Sequence, residues 1–299
     1  MQTRYRAAAT ALLLTATAGM AATGGAAEAS GTHHAHAKAA KSLVITIRSK
    51  ASGPQLSQDT LRPGKTIFKV RNVDGKASKG LIQVFRLKKG YDFTQASQDF
   101  PALFADPPTA DSIAAVNRID DNVVFYGGME AKGNGSKVAK WAVNINKAGT
   151  YYVVNFDKQT LTTFTAKGKA QKRSFPSRDG FINAKSTKGG GNTFVAGKHN
   201  PPKGWMSTKN NAAEPHFVDI EQVKKGTTNS DLTAAFQGQG NPFVKGGAAT
   251  DTGVISPGHK FLWSYHLKKG RYGVMCFWPS KDDGMPHAIM GMHIVTRLR

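Results

Sequence analysis

The stretch FLWSYHLKKGRYGVMCFW, at positions 261–278, has the pattern of two β-strands joined by a tight turn. Lys268-Lys269-Gly270 supplies the turn between them. Residues suited to a core alternate along both halves: Phe261, Trp263, Tyr265 and Leu267, then Tyr272, Val274, Cys276 and Trp278. Because alternate residues of a strand share one face, the pattern predicts a hairpin with one buried face that carries Cys276.

An earlier part of the chain repeats this hairpin. WAVNINKAGTYYVVNF at 141–156 corresponds to LWSYHLKKGRYGVMCF at 262–277. Two further matches precede it in the same order: GLIQVFRLKKG at 80–90 with HFVDIEQVKKG at 216–226, and VFYGG at 124–128 with FVKGG at 243–247. Two units separated by well over 100 residues indicate two copies of one domain.

The remaining sequence is also typical of β-structure. Short runs rich in β-branched and aromatic residues are separated by Gly, Pro, Asn and Asp clusters, which predicts an all-β sandwich or barrel. Only two brief helices are expected, around 92–104 and 230–236. The predicted domains are residues 42–166 and 180–299, joined by a basic linker at 167–179.

Charge and cysteine count restrict the function. The 299 residues include 41 Lys and Arg against 19 Asp and Glu, a net charge of +22, with a single cysteine. One thiol forms neither an internal disulfide nor a four-cysteine zinc or iron–sulfur site. No nucleic-acid-binding motif accompanies the positive charge. We therefore expect no nucleic-acid partner and consider instead an acidic redox protein or an anionic cell-wall polymer.

The N-terminus predicts export. Arg4 and Arg6 precede an alanine- and leucine-rich segment and small-residue cleavage sites, so residues 1–29 are interpreted as a signal peptide. No transmembrane segment is expected after its removal. Residues 30–41 carry three histidines, His33, His34 and His36, and are interpreted as a disordered leader that could bind metal loosely. The expected location is secreted or extracytoplasmic.

The segment CFWPSKDDGMPHAIMGM, at 276–292, carries the chemistry. It places Cys276, His287 and Met292 between two predicted strands, and His216 begins the strand that corresponds to Gly80. One thiolate, two imidazoles and a thioether are the ligand types of a mononuclear type 1 copper site. Met290 is an alternative axial ligand.

With these residues the chain resembles the cupredoxins, the plastocyanin and azurin group. The resemblance is closest over residues 180–299, and residues 42–166 are similar to a degenerate copy. It implies two tandem Greek-key β-sandwich domains and one type 1 copper per chain, bound by His216, Cys276, His287 and Met292. Two features depart from plastocyanin: ten residues separate Cys276 from His287, and Phe217 follows His216. The first copy contains no cysteine and is expected to lack the site.

Electron transfer through copper is therefore the function that the sequence favours, with copper storage left open. One alternative is a metal-free β-sandwich that binds an anionic cell-surface polymer. A copper-dependent oxidoreductase is a weaker alternative, because the only His-x-His pair is His34-Ala35-His36 in the leader.

Overall fold

The computed structural model describes residues 41–48, 53–75, 78–133 and 137–299. The predicted signal peptide and all but the last residue of the predicted leader lie outside these ranges. Within its described residues the first half has nine strands: β1 (Lys41–Ile47), β2 (Gln55–Leu56), β3 (Thr60–Leu61), β4 (Gly64–Asn72), β5 (Lys79–Leu87), β6 (Val123–Lys132), β7 (Ala139–Ile145), β8 (Gly149–Asn155) and β9 (Thr160–Ala166).

The second half has eight strands in its described residues: β10 (Gly180–Ser186), β11 (Asn192–Ala196), β12 (Lys203–Asn211), β13 (Asp219–Val223), β14 (Ala249–Asp251), β15 (Lys260–His266), β16 (Gly270–Met275) and β17 (His293–Leu298). Residues 167–179 connect β9 to β10. The all-β expectation is confirmed, and no helix in the described ranges is long and apolar enough to cross a membrane.

Three helices accompany the strands in the described residues: α1 (Phe93–Ala102), α2 (Ala110–Asn122) and α3 (Asn229–Phe236). The expectation of only two brief helices is wrong, because α2, the longest, was not predicted. Its buried positions include Ala115, Val116 and Ile119. This apolar stripe is narrow and includes a small residue, so the helical periodicity of the sequence is weak here. Packing against α1 and the second domain contributes the rest of its stability.

Each half forms a two-sheet sandwich, and one sheet belongs to both. The shared sheet has eight strands in the order β11-β10-β12-β15-β7-β4-β1-β2. The first half adds a five-stranded sheet, β3-β9-β8-β5-β6, and the second adds a four-stranded sheet, β14-β13-β16-β17. Thus the two copies are arranged as β-sandwiches that are joined edge to edge.

Equivalent strands of the two copies make this joint. β7 and β15 pair antiparallel, with Trp141 opposite Trp263 and Val143 opposite Phe261. All four side chains are at most 1% exposed, so the pairing lies within the core. The sequence predicted both strands but not their pairing, because strand periodicity does not identify the neighbour at an edge.

Aromatic packing fills the first sandwich. Phe68 of β4 stacks on Trp141 of β7 with ring centroids 4.7 Å apart. Phe68 also contacts Phe164 of β9 at 6.0 Å, which connects the shared sheet to the five-stranded sheet.

The expected hairpin at 261–278 is wrong, because β15 pairs with β12 and β7 in the shared sheet whereas β16 pairs with β13 and β17 in the four-stranded sheet. The turn between them passes from one sheet to the other, which the alternating pattern does not reveal. Tyr272 and Cys276 are completely buried, as that pattern predicts.

Candidate metal centre

Three potential metal ligands converge in the second domain. His216 Nδ1 lies 3.1 Å from His287 Nδ1 and 3.6 Å from Cys276 Sγ, and His287 Nδ1 lies 3.9 Å from that sulfur. The three residues are at most 2% exposed. They are the one group of three or more potential metal ligands found in the described residues.

The spacing of these atoms fits one metal ion. A metal–nitrogen bond is about 2.0 Å and a metal–sulfur bond about 2.3 Å, so one ion spans nitrogens up to about 4.0 Å apart and a nitrogen–sulfur pair up to about 4.3 Å. All three observed separations fall within these limits. Thiolate with imidazole is a donor set that suits copper or zinc.

The loop after β16 folds back through its backbone and positions two of the donors. The His287 N–H donates to the Trp278 carbonyl at 2.9 Å, and the Ala288 N–H donates to the Cys276 carbonyl at 2.6 Å. At the end of the loop, the Met292 N–H donates to the His287 carbonyl at 2.8 Å. Cys276 and His287 are thereby held close together although ten residues separate them.

The two candidate thioethers have different exposures. Met292 is 1% exposed, and its carbonyl accepts a hydrogen bond from the Cys276 N–H at 3.3 Å. Met290 is 52% exposed. A ligand of a buried ion must itself be shielded from water, so the burial favours Met292.

The first domain positions His216 indirectly, through Ile255 of the second domain. The sequence places it at the start of a strand, but β13 begins at Asp219. Instead, the His216 N–H donates to the Ile255 carbonyl at 3.2 Å and the Ile255 N–H donates back at 2.8 Å. Ile255 also forms a bridge with Tyr126 of β6. The first domain thus fixes the backbone that positions a ligand of the second.

A carboxylate contacts the outer nitrogen of His287. Glu214 Oε2 lies 2.5 Å from His287 Nε2. Burial lowers the pKa of His287, but the Cys276 sulfur and the Glu214 carboxylate together raise it, to about 9. Such a carboxylate–histidine pair fixes the orientation of the ring and makes it a more basic ligand.

His216 has the opposite electrostatic environment. Burial and the neighbouring His287 ring lower its pKa well below the usual value, so it is neutral at physiological pH. Its Nε2 atom is buried and has no hydrogen-bond partner among the described residues. A neutral imidazole whose Nδ1 faces the other donors is in the form that binds a metal.

The first domain also contacts the ligand loop directly, through α2. The Trp278 indole N–H donates to Asp120 Oδ1 at 3.1 Å, and the Asn117 amide donates to the Lys281 carbonyl at 2.8 Å. Burial raises the pKa of Asp120 to about 8, against the opposing effect of the Trp278 hydrogen bond. The long Cys-His loop is therefore shaped partly by a helix from the other copy.

Sequence reasoning missed two of these residues. Glu214 lies two positions before the proposed ligand His216. Because the chain has few acidic residues, this proximity could have identified Glu214 as part of the site. Asp120 gives no such signal, because it lies 158 positions from Trp278. Only the domain packing brings it to the loop.

The corresponding position of the first domain is filled by other side chains. Gly80 and Asn155 occupy the places of His216 and Cys276 in the repeat. A Cβ atom on Gly80 would lie 2.6 Å from Ile47 Cδ1 and 3.4 Å from Asn155 Nδ2. An imidazole at Gly80 would therefore require Ile47 to move.

Comparisons with known proteins identify only distant similarities. No protein-family model and no curated protein sequence matches the chain. Auracyanin A, a blue copper protein from Chloroflexus aurantiacus, is 12% identical, with 42% of this chain and 98% of that chain covered and a TM-score of 0.27. Copper nitrite reductase from Nitrosomonas europaea is 10% identical, with 88% and 94% covered and a TM-score of 0.25. Reduced rusticyanin is 17% identical, with 42% and 82% covered and a TM-score of 0.23. All three TM-scores lie below 0.5, so these similarities assign no chemistry to this chain.

Proposed function

We propose that the chain is an exported copper protein that transfers one electron at a time. In this proposal His216, Cys276, His287 and Met292 would hold one copper ion as a type 1 site. The observation that carries it is the convergence of two histidine Nδ1 atoms and one cysteine sulfur within 3.9 Å. Bound copper would supply the Cu(I)/Cu(II) couple.

The protein supplies a site whose shape is set before the metal arrives. Backbone hydrogen bonds close the ligand loop, and Ile255 holds His216 from the opposite side. Burial of all three donors excludes water, which limits additional ligands and keeps the coordination number low. A preformed site of low coordination number changes little between two oxidation states, which favours fast electron transfer.

The charge suggests how a partner is recruited. A net charge of +22 favours association with an acidic redox protein, and we propose such a partner in preference to the anionic cell-wall polymer. Ile289 and Met290, in the ligand loop, are 45% and 52% exposed and offer apolar contact near the centre. Association of this kind weakens as salt screens the charge, on the scale of a Debye length of about 10 Å at 0.1 M.

Copper titration tests the proposal. Purified residues 30–299 should bind one equivalent of Cu(II) and develop an intense visible thiolate-to-copper band that disappears on reduction and returns on reoxidation. Cys276→Ser should abolish the band. Met292→Leu should shift the band or the reduction potential, and Met290→Leu is the matched control that should change neither.

Two results would contradict the proposal. A folded wild-type protein that develops no band would favour the metal-free β-sandwich, especially if it binds an anionic polymer without copper. Copper that binds but leaves the protein in each redox cycle would favour storage over electron transfer.

A further inference from the structure

A cavity of about 320 Å³ lies between the two domains, apart from the three donor atoms. Lys79 and Glu130 of the first domain and residues 249–254 of the second line it. Phe217 and Trp278 also line it, and they lie one and two positions from proposed ligands. Its volume is at the lower end of the range of small-molecule sites.

Acidic side chains gather in this cavity although the chain is strongly basic. Four of the 19 acidic residues line it, against two lysines, Lys79 and Lys132. The four are Glu130, Asp157, Asp219 and Asp251. The local charge balance is therefore opposite in sign to that of the whole protein.

Two of these carboxylates have a role within the protein. Lys79 Nζ lies 3.6 Å from Glu130 Oε2, with the lysine side chain 47% exposed. Asp157 Oδ2 accepts the Leu81 N–H at 2.5 Å.

Asp219 and Asp251 form the deeper pair. They are directly opposite each other on β13 and β14, and Asp219 is 7% exposed. Asp251 Oδ1 is closed to water and has no hydrogen-bond partner among the described residues. Burial, and then the charges of Asp219, Glu130, Asp157 and Cys276, raise the pKa of Asp251 well above its usual value. A positively charged ligand in the cavity would relieve the repulsion among these carboxylates.

The rest of the wall is aromatic. Phe104, Phe156, Phe217 and Trp278 line the cavity, and Phe104 and Trp278 meet edge to face with ring centroids 6.2 Å apart. Aromatic faces attract ammonium groups and pack against carbon chains. A hard metal ion instead needs six or more oxygen ligands, which these rings do not provide.

We propose that this interdomain cavity binds a small organic ammonium ion, with the ammonium group directed to Asp219 and Asp251 and the carbon chain against the aromatic rings. The site does not depend on copper. Its ligand would bridge the two domains beside the metal centre, since β13 and β14 belong to the second domain and Phe104 and Phe156 to the first.

The test uses copper-free residues 30–299 and n-butylammonium as the probe, with 1-butanol as its uncharged analogue. Calorimetry should detect n-butylammonium binding and at least about tenfold weaker binding of 1-butanol. In NMR spectra, n-butylammonium should move the Trp278 indole N–H resonance and leave that of Trp141, which lies in the core of the first sandwich. The comparison of n-butylammonium with 1-butanol needs no variant. Because copper is omitted, a negative result would contradict the ammonium proposal and leave the copper proposal untouched.

Substitutions then localise the binding. Asp251→Asn should weaken n-butylammonium binding at least about tenfold, and Asp282→Asn, an exposed control with the same charge change, should not. Phe156→Leu should weaken it by removing a ring while keeping an apolar side chain. The proposal is overturned if the folded wild-type protein does not bind millimolar n-butylammonium, if 1-butanol binds equally well, or if Ca²⁺ displaces the probe at equal concentration.

Discussion

Glu214 Oε2 lies 2.5 Å from Nε2 of His287, so an acidic side chain two positions before one histidine donor holds the outer nitrogen of the other. The contact connects the two sequence segments that carry the proposed ligands. It also places a negative charge beside the centre, where it stabilises the more highly charged oxidation state of a bound metal.

Glu214→Gln should therefore raise the reduction potential of the copper-loaded protein. Removing one charge a few ångströms away, at an effective dielectric constant of about 20, corresponds to a change on the order of 100 mV. Redox titration of the visible band measures it. Asp282→Asn, an exposed carboxylate of the ligand loop, is the matched control, and an equal shift in both variants would contradict a specific role for Glu214.

Copper affinity should increase with pH in the neutral range. The pKa of His287 is about 9 in the metal-free protein, so a proton must leave before this histidine can bind a metal. His216 is already neutral and releases none. Chelator competition at pH 6, 7 and 8 measures the affinity, and calorimetry in several buffers counts the protons.

Glu214→Gln provides the comparison for this pH dependence. Without the carboxylate the pKa of His287 falls, so the variant should release fewer protons on binding copper near neutral pH. Equal proton release by the variant and the wild type would contradict the link between Glu214 and His287.

Asp120 should make the metal-free protein less stable as pH rises. Its pKa is about 8 when folded and near 3.8 when unfolded, so its contribution is fully present below pH 4. Between pH 4 and pH 8 the unfolded chain ionises first, and a few kcal/mol, on the order of 1.4 per pKa unit, is lost. Urea unfolding at several pH values measures this loss.

Asp120→Asn keeps an acceptor for the Trp278 indole but removes the titration. The variant should have a flatter stability profile and exceed the wild type at pH 8. If the difference between the two profiles does not change with pH, Asp120 does not titrate in this range.

Gly284 tests the contact between the ligand loop and the first domain. It has φ = +72°, and a Cβ atom there would lie 2.8 Å from Pro108 Cβ. Gly284→Ala should lower the free energy of unfolding by about 1–3 kcal/mol and weaken copper binding, because the loop must move away from α2. Thermal unfolding and copper titration measure the two effects.

Gly258→Ala is the matched control for this substitution. Gly258 has φ = +75° but nothing within 4 Å of its added Cβ, so the variant carries the backbone strain without the clash. An equal loss of stability in both variants, with copper binding unchanged, would show that the domain contact does not shape the centre.

Local sequence patterns were sufficient to predict many of the strands and the ligand loop of this protein. Alternation along 261–278 predicted β15, β16 and the burial of Cys276, and the repeat predicted which of the two copies carries the donors. The expected helix at 92–104 corresponds to α1, and the capping-box match at 228–231 indicated the start of α3. The spacing in 276–292 also brought Cys276 and His287 together on one loop, since both lie within one connection between strands.

The sequence by itself determined the strands, the repeat and the donor types, because these depend on residues near each other in the chain. Only the tertiary structure decided that β7 pairs with β15, that Asp120 and Glu214 reach the ligand loop, and that acidic side chains from both domains face one cavity. These contacts join residues that are distant in the chain, as in the hydrogen bond between Trp278 and Asp120, which lie 158 positions apart. Their geometry follows from how two sandwiches dock, and local periodicity carries no information about docking.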